Sequence, residues 1–193
     1  MNDIAPSPSR AAGPRPGGRS ARVQAAIHQA VRDLLAEGPR EAVTVPAIAA
    51  RASVTPSTIY RRWGDLSRLL ADVAVEQLHP EGEPADTGSY RSDLATWLEQ
   101  YRDEMSSGPG RTMLRDVLSA TNGENSGRCL LYCTTQLDLL RERALARGDT
   151  PLATQAIIDG IVAPMMYRLL FAADAPSAAD VSHWLDEQVS RAG

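Results

Sequence analysis

The stretch VTVPAIAARASVTPSTIYRRW, from Val43 to Trp63, decides how the rest of the chain is read. Thr44 is placed to cap a short helix running to about Arg51, and Pro46 is tolerated in its first turn, where backbone amides lack intrahelical partners. Ala52, Ser53 and Val54 then make a turn. Thr55 is a second N-cap, followed by Pro56 at the first helical position, where its fixed φ suits a helix. Two caps so close together predict two short helices in succession, a helix-turn-helix. Ile48, Ala49, Val54, Ile59 and Trp63 are expected to share a small core, leaving Ser57, Thr58, Tyr60, Arg61 and Arg62 on the opposite side. Hydroxyls and a phenol bond phosphates or base edges, and arginine grips guanine bidentately or holds the backbone as a charge.

The ordered matches Ile48, Ala49, Ala52, Val54, Tyr60 and Trp63 resemble the DNA-binding segment of tetracycline-repressor (TetR) family regulators. That segment has an I-A-x-x-A-G-V turn, then a tyrosine with an aromatic three residues later. The resemblance implies a transcriptional regulator, a repressor, binding double-stranded palindromic operator DNA as a homodimer and released by a small-molecule effector. The candidate DNA-binding residues are Thr44, Thr55, Ser57, Thr58, Tyr60, Arg61 and Arg62. Two positions depart from the pattern. Ser53 stands where the family prefers glycine, at a steric cost of about 1 kcal/mol if the turn is left-handed. Leu66 stands where many members carry a phosphate-contacting lysine, a task left to Arg68 or Arg62.

Working outward, charge is unevenly spread. Residues 1–70 hold ten Arg against five acids, a net of +5, so the remainder carries −9 of a total of −4. A basic first third on an acidic body is a footprint for nucleic acid at one end. Residues 1–21, rich in Pro and Gly, read as a disordered basic arm, for which minor-groove contact and plain solvation are equal readings. Order is expected from Arg22, because Val23, Ala26, Ile27, Ala30, Val31, Leu34 and Leu35 repeat with helical spacing up to Gly38-Pro39. His28 reads as an exposed residue of this helix. The predicted fold is all-α, with a three-helix DNA-binding module over 22–66 and a helical-bundle domain over 67–193 for ligand binding and dimerisation.

In that second part Asp65 caps a helix carrying Leu66, Leu69, Leu70, Val73, Ala74 and Leu78, followed by a loop, PEGEPADTGS, that reads as mobile. The resemblance makes this the helix that links the DNA-binding module to the regulatory body. A helix from Tyr90 is expected to end at SSGPG, a shorter one to contain Met113, Leu114, Val117 and Leu118, and a third to run from about Arg128 to Arg147 with Leu130, Leu131, Cys133, Leu137, Leu140 and Leu145. The next, from near Pro151, is apolar on most of its circumference, which predicts burial on more than one side. Together with a last helix from about Ala178 it offers Ile158, Met166, Leu170, Val181, Trp184 and Leu185 as a dimer interface forming a four-helix bundle. Pro164, with Gly160 one turn earlier, is expected to kink this helix and open a cavity. The candidate effector-binding residues are Trp97, Tyr101, Met105, Met113, Tyr132, Met165, Met166 and Arg168, with Tyr167 and Asp159 beside them.

Other functions find little support. His28, His79 and His183 sit on separate elements, no glycine loop cradles a phosphate, and no nucleophile setting is recognisable, so no enzyme, metal or cofactor is expected. Cys129 and Cys133, four apart on one helix face with no histidine beside them, read as buried thiols. No apolar run approaches the roughly 20 residues of a membrane span, and no signal pattern opens the chain, so a cytoplasmic protein is expected. The alternative reading is a sequence-specific DNA-binding dimer with no effector, controlled by a protein partner or by abundance.

Overall fold

The computed structural model describes residues 18–80, 82–120 and 124–192, and among these every regular element is a helix. They divide into two compact units, one within Met1–Arg61 and one within Arg62–Gly193.

The first unit begins with α1, Gly18–Glu37. It starts one turn before Arg22, because Arg22 donates Nε–H to the Gly18 carbonyl at 3.0 Å and holds that turn closed. Gly18 to Ala21 therefore belong to a helix and not to the expected arm; residues 1–17 of that arm lie outside the described residues. After a 3-10 turn, Arg40–Ala42, come α2, Val45–Arg51, and α3, Pro56–Trp63. Thr44 caps α2 as expected, accepting from the Ala47 amide at 3.3 Å. The turn between α2 and α3 closes with the Val54 amide on the Ala49 carbonyl at 2.9 Å, and Ser53 takes φ +54°. Ile27, Ala30 and Val31 of α1, Val45, Ile48 and Ala49 of α2, and Ile59 of α3 form the buried set, each fully buried aliphatic side chain contributing roughly 1.5–3 kcal/mol. His28 is buried with them, only 1% exposed, which corrects the expectation of a surface histidine: it flanks Ile27 on the face that α1 turns inward.

The second unit holds α4, Leu66–Gln77; α5, Tyr90–Ser106; α6, Gly108–Ser119; α7, Glu124–Arg147; α8, Thr154–Ile157; a π-helical turn, Ile158–Val162; α9, Ala163–Phe171; and α10, Ala178–Ala192. Gly64 at φ +82° ends α3, and Asp65 caps α4 by accepting from the Arg68 amide at 2.9 Å. Helix α5 ends within SSGPG, as expected, but the break is one residue wide. Ser107 alone separates α5 from α6: its amide closes on the Asp103 and Glu104 carbonyls, and its Oγ accepts from the Gly110 amide at 2.9 Å. A Cβ on Gly110 would lie 2.0 Å from the Glu104 carbonyl oxygen, so only glycine permits this corner.

The α7 helix begins at Glu124, a turn before Arg128, and its buried stripe is Cys133, Gln136, Leu137, Leu140 and Ala144. Leu130, Leu131 and Leu145 lie off that stripe and are exposed. The loop expected to be mobile is pinned over residues 82–89. The Asp93 carboxylate, 1% exposed, accepts from the Thr87 amide at 2.5 Å, from Thr87 Oγ1 at 2.6 Å and from Arg147 Nη1 at 2.8 Å, while Arg143 Nη1 donates to the Ala85 carbonyl at 2.9 Å. Burial works against the charge on Asp93, and the bonds from Thr87 and Arg147 outweigh it, holding the carboxyl below its ordinary range.

Pro164 was expected to kink a single helix. The chain instead widens to a π turn immediately before it, which accommodates a ring with no N–H to give and a clash with the carbonyl four residues back, that of Gly160. The extra residue in the turn resets the faces of everything after it. Asp159, Ala163, Tyr167 and Phe171 line up on the exposed side, Tyr167 being 67% and Phe171 73% exposed, while Met165 and Leu169 enter the core.

Candidate functional site

Helix α3 presents Ser57, Tyr60, Arg61 and Arg62 at the surface, with Thr58 half-buried and Ile59 beneath them at 0% exposure. The hydroxyls are organised at its start. Thr55 Oγ1 lies 2.9 Å from Ser57 Oγ and 3.1 Å from Thr58 Oγ1, a shared network that fixes three polar groups on one turn. Thr44 is exposed at the head of α2, its hydroxyl engaged in the cap. The Arg62 guanidinium stands over the Trp63 ring, 6.0 Å from its centroid.

Arg19 and Arg22 were not among the candidate DNA-binding residues. Both line a shallow depression beside Ala52, Ser53 and Val54, so α1 sets two more positive charges next to the inter-helix turn. Arg19 was read as part of an unstructured arm and Arg22 as the start of the first helix, without a place beside the turn for either. Arg51 serves the fold instead: its guanidinium grips the Glu37 carboxylate at 2.9 and 2.6 Å and lies 3.9 Å from Asp33.

Trp63 belongs to a different network from the expected core of the first unit. Its indole Nε1–H donates to Asp72 Oδ2 of α4 at 2.9 Å. The other Asp72 oxygen pairs with Arg128 of α7, and Arg128 Nη2 donates to the Tyr132 hydroxyl at 3.5 Å. The end of α3 is thus joined, through one carboxylate, to α7.

Tyr132 is also a wall of a cavity of about 420 Å³ in the second unit, bounded by the C-terminal ends of α4 and α5, by α6 and α7, and by His79, Pro80, Gly82, Glu83 and Pro84. Trp97, Tyr101, Met105 and Tyr132, all read from the sequence as effector residues, meet there. Trp97 and Tyr101 stack at 5.0 Å between centroids with 13° between planes, and His79 meets Tyr132 edge-on at 4.7 Å. Cys129 and Cys133 share the wall, so they are cavity thiols and not simply core; burial pushes both thiols up, Cys133 to about 12, which keeps them protonated. Gln77, Leu78, Gln100, Glu104, Leu114 and Gln136 also line it and were not among the effector candidates; isolated polar side chains such as Gln77, Gln100, Glu104 and Gln136 carry no periodic signal in the sequence.

The remaining effector candidates lie elsewhere. Met165 is fully buried core, Met166 packs against that core, and Met113 packs with Ala74, Val75 and Val117. Arg168 is bound to Asp180 at 2.8 Å with its guanidinium over Trp184 at 5.9 Å; Tyr167 is exposed; Asp159 accepts from Gln155 at 2.9 Å. The cavity lies off the Pro164 segment because the π turn absorbs the proline without parting the helices.

Among the dimer candidates, Val181 and Leu185 are 3% and 4% exposed and face the chain's own core, so they are unavailable to a partner. Ile158, Met166, Leu170 and Trp184 are half-buried. The exposed apolar groups on these helices are Tyr167, Phe171 and Val189.

A short capped helix, a tight turn and a second helix carrying a polar, arginine-bearing face above a buried isoleucine define a helix-turn-helix DNA-binding protein. Residues 27–73 match the bacterial regulatory proteins of the tetR family, and residues 84–187 match the tetracyclin repressor-like C-terminal domain. The chain belongs to the TetR family of transcriptional regulators, proteins that act by binding DNA and not as enzymes. It is 30% identical over 157 residues to the uncharacterized HTH-type transcriptional regulator YdeS of Bacillus subtilis, covering 77% of this chain and 79% of that one. In fold it is similar to the TetR family transcription regulator SCO0332, with a TM-score of 0.63 and 23% identity over 88% of this chain and 97% of the other. It is also similar to a TetR regulator from Rhodococcus sp. RHA1, with a TM-score of 0.59 and 18% identity over 90% and 98%. Among the described residues no helix is long and apolar enough to cross a membrane.

Proposed function

We propose that this protein is a cytoplasmic, effector-released repressor that binds a palindromic operator as a homodimer. The observation that carries the DNA half of this reading is the outward face of α3, where Ser57, Tyr60, Arg61 and Arg62 stand exposed over Ile59. In a dimer each α3 enters one of two successive major grooves, with half-sites about 34–36 Å apart. Thr44, Thr55 and Thr58 serve phosphates or hold the helix start, Arg61 and Arg62 read bases or hold the backbone, and Arg19 and Arg22 add charge beside them.

The cavity supports gating over control by abundance alone. One wall residue, Tyr132, is hydrogen-bonded to Arg128, Arg128 to Asp72, and Asp72 to Trp63 at the end of α3. A ligand that displaces Tyr132 changes the support of Trp63, and the ligand shifts the operator-binding equilibrium only by its differential affinity for the two arrangements. For the dimer, the exposed apolar stripe of Tyr167 and Phe171 on α9, with Val189 on α10, joins the half-buried Ile158, Met166, Leu170 and Trp184 as the proposed surface, without the buried Val181 and Leu185.

The test is selection of bound fragments from random and genomic DNA by the purified protein. A shared inverted repeat is expected, with Arg61→Ala and Arg62→Ala each weakening binding by roughly 1–3 kcal/mol where the side chain reads a base, or flattening the salt dependence where it holds a phosphate. Salt-sensitive binding with no shared sequence overturns the operator reading.

A further inference from the structure

The walls of the cavity say what kind of molecule suits it. Its floor is aromatic and apolar: the stacked Trp97–Tyr101 pair, Tyr132 and Met105. Its rim is acidic. Glu83 and Glu104 both line it and no arginine does, in a chain that has no lysine. Glu83 lies 3.5 Å from Arg143, whereas among the described residues no cation is paired with Glu104. Burial alone raises the Glu104 carboxyl, the sign of a charge short of compensation. Arg128, next to Cys129 on the wall, is engaged by Asp72.

The helix ends add to this. Gln77 closes α4, and Glu104 and Met105 lie in the last turn of α5, so two carbonyl ends, each equivalent to roughly half a negative charge, border the same space. An anion entering here meets the Glu104 carboxylate and two helix C-terminal ends, and no arginine lines the space. A cation with a flat apolar body meets a ring face and a carboxylate, which is the pairing that cation–π and charge-assisted contacts favour. The volume of about 420 Å³ lies within the range of small-molecule sites.

We propose that this cavity takes a flat lipophilic organic cation, with its aromatic body against the Trp97–Tyr101 pair and its positive charge at the Glu104 carboxylate. The proposal rests on the cavity being the effector site.

Three fused-ring probes of matched size separate the possibilities: pyronin Y, a cation; acridone, neutral; and resorufin, an anion at neutral pH. Each is titrated by fluorescence anisotropy into the full chain without DNA. Pyronin Y is expected to bind saturably, about tenfold tighter than acridone, with resorufin weakest. Glu104→Gln, a change at an exposed rim position, is expected to weaken pyronin Y about five- to tenfold and leave acridone unchanged, while Glu99→Gln, outside the cavity, alters neither. Tyr132→Leu is expected to weaken both pyronin Y and acridone. Saturable binding of acridone or resorufin equal to or tighter than pyronin Y, lost in Tyr132→Leu, overturns the cation and leaves the effector cavity standing. Pyronin Y binding unaffected by Glu104→Gln and Tyr132→Leu is adsorption elsewhere and overturns the proposal. No binding of any probe overturns the proposal and removes the support for the effector reading.

Discussion

At the scale of single residues, Ser53 shows how a departure from a family pattern becomes a measurable strain. It occupies φ +54°, where a Cβ costs roughly 1 kcal/mol or more and glycine costs nothing. Ser53→Gly is expected to stabilise the chain by about 1 kcal/mol in urea denaturation, since its side chain is exposed. Asp93 makes the opposite case, a side chain that cannot be spared. Its folded pKa lies below the unfolded value, so its contribution is complete above the ordinary carboxylate range and is lost as pH falls through the depressed value. Asp93→Asn is expected to cost about 1–3 kcal/mol at neutral pH, with the gap to the wild type closing as pH drops below about 4 in denaturation curves. The sequence placed Asp93 on a helix but gave no hint of this role, because its partners Thr87 and Arg147 lie on a loop and on a distant helix.

At the scale of elements, starts governed by a capping side chain were legible and breaks governed by tertiary contact were not. Thr44 and Asp65 cap where the sequence places them, each through a bond to an amide three residues on. SSGPG reads as a terminator by composition, yet Gly108 to Gly110 open α6, because Ser107 satisfies both helix ends at once. The same corner fixes the cavity. Gly110 touches the Glu104 carbonyl, and Glu104 and Met105 line the void, so Gly110→Ala is expected to push the end of α5 outward. A loss of about 1–3 kcal/mol in stability, together with weakened pyronin Y binding, is the expected outcome by denaturation and anisotropy. The effector candidates divide on similar lines. Trp97, Tyr101, Met105 and Tyr132 meet at the cavity; Met113, Met165 and Met166 were chosen on the same chemistry but face other neighbours, a distinction one-dimensional spacing does not hold.

At the scale of the whole molecule, the family, the all-helical architecture and the position of the helix-turn-helix were legible in one ordered run of residues, and the outward face of α9 was not. Ile158, Met166 and Leu170 follow from a regular period of 3.6 residues carried through the π turn. Tyr167 and Phe171, their rings tilted against each other at 5.1 Å between centroids and both exposed, are one residue further along. Phe171→Asp is expected to give monomers in light scattering with the helix content unchanged, while Val181→Asp, aimed at a buried position, is expected to unfold the second unit.

The π turn also determines which mutations can change that surface. Substitution along Ala163–Phe171 alters the chemistry of the exposed stripe but leaves its direction fixed. Loss of a single codon within Ile158–Val162 would return the segment to an ordinary helix and keep Tyr167 and Phe171 on the outward side, whereas loss of one within Ala163–Met166, with the π turn in place, would turn everything after it by about 100° and exchange the outward face in one step. In an evolving lineage, self-association would then change by length polymorphism, abruptly, where point mutation could only tune it.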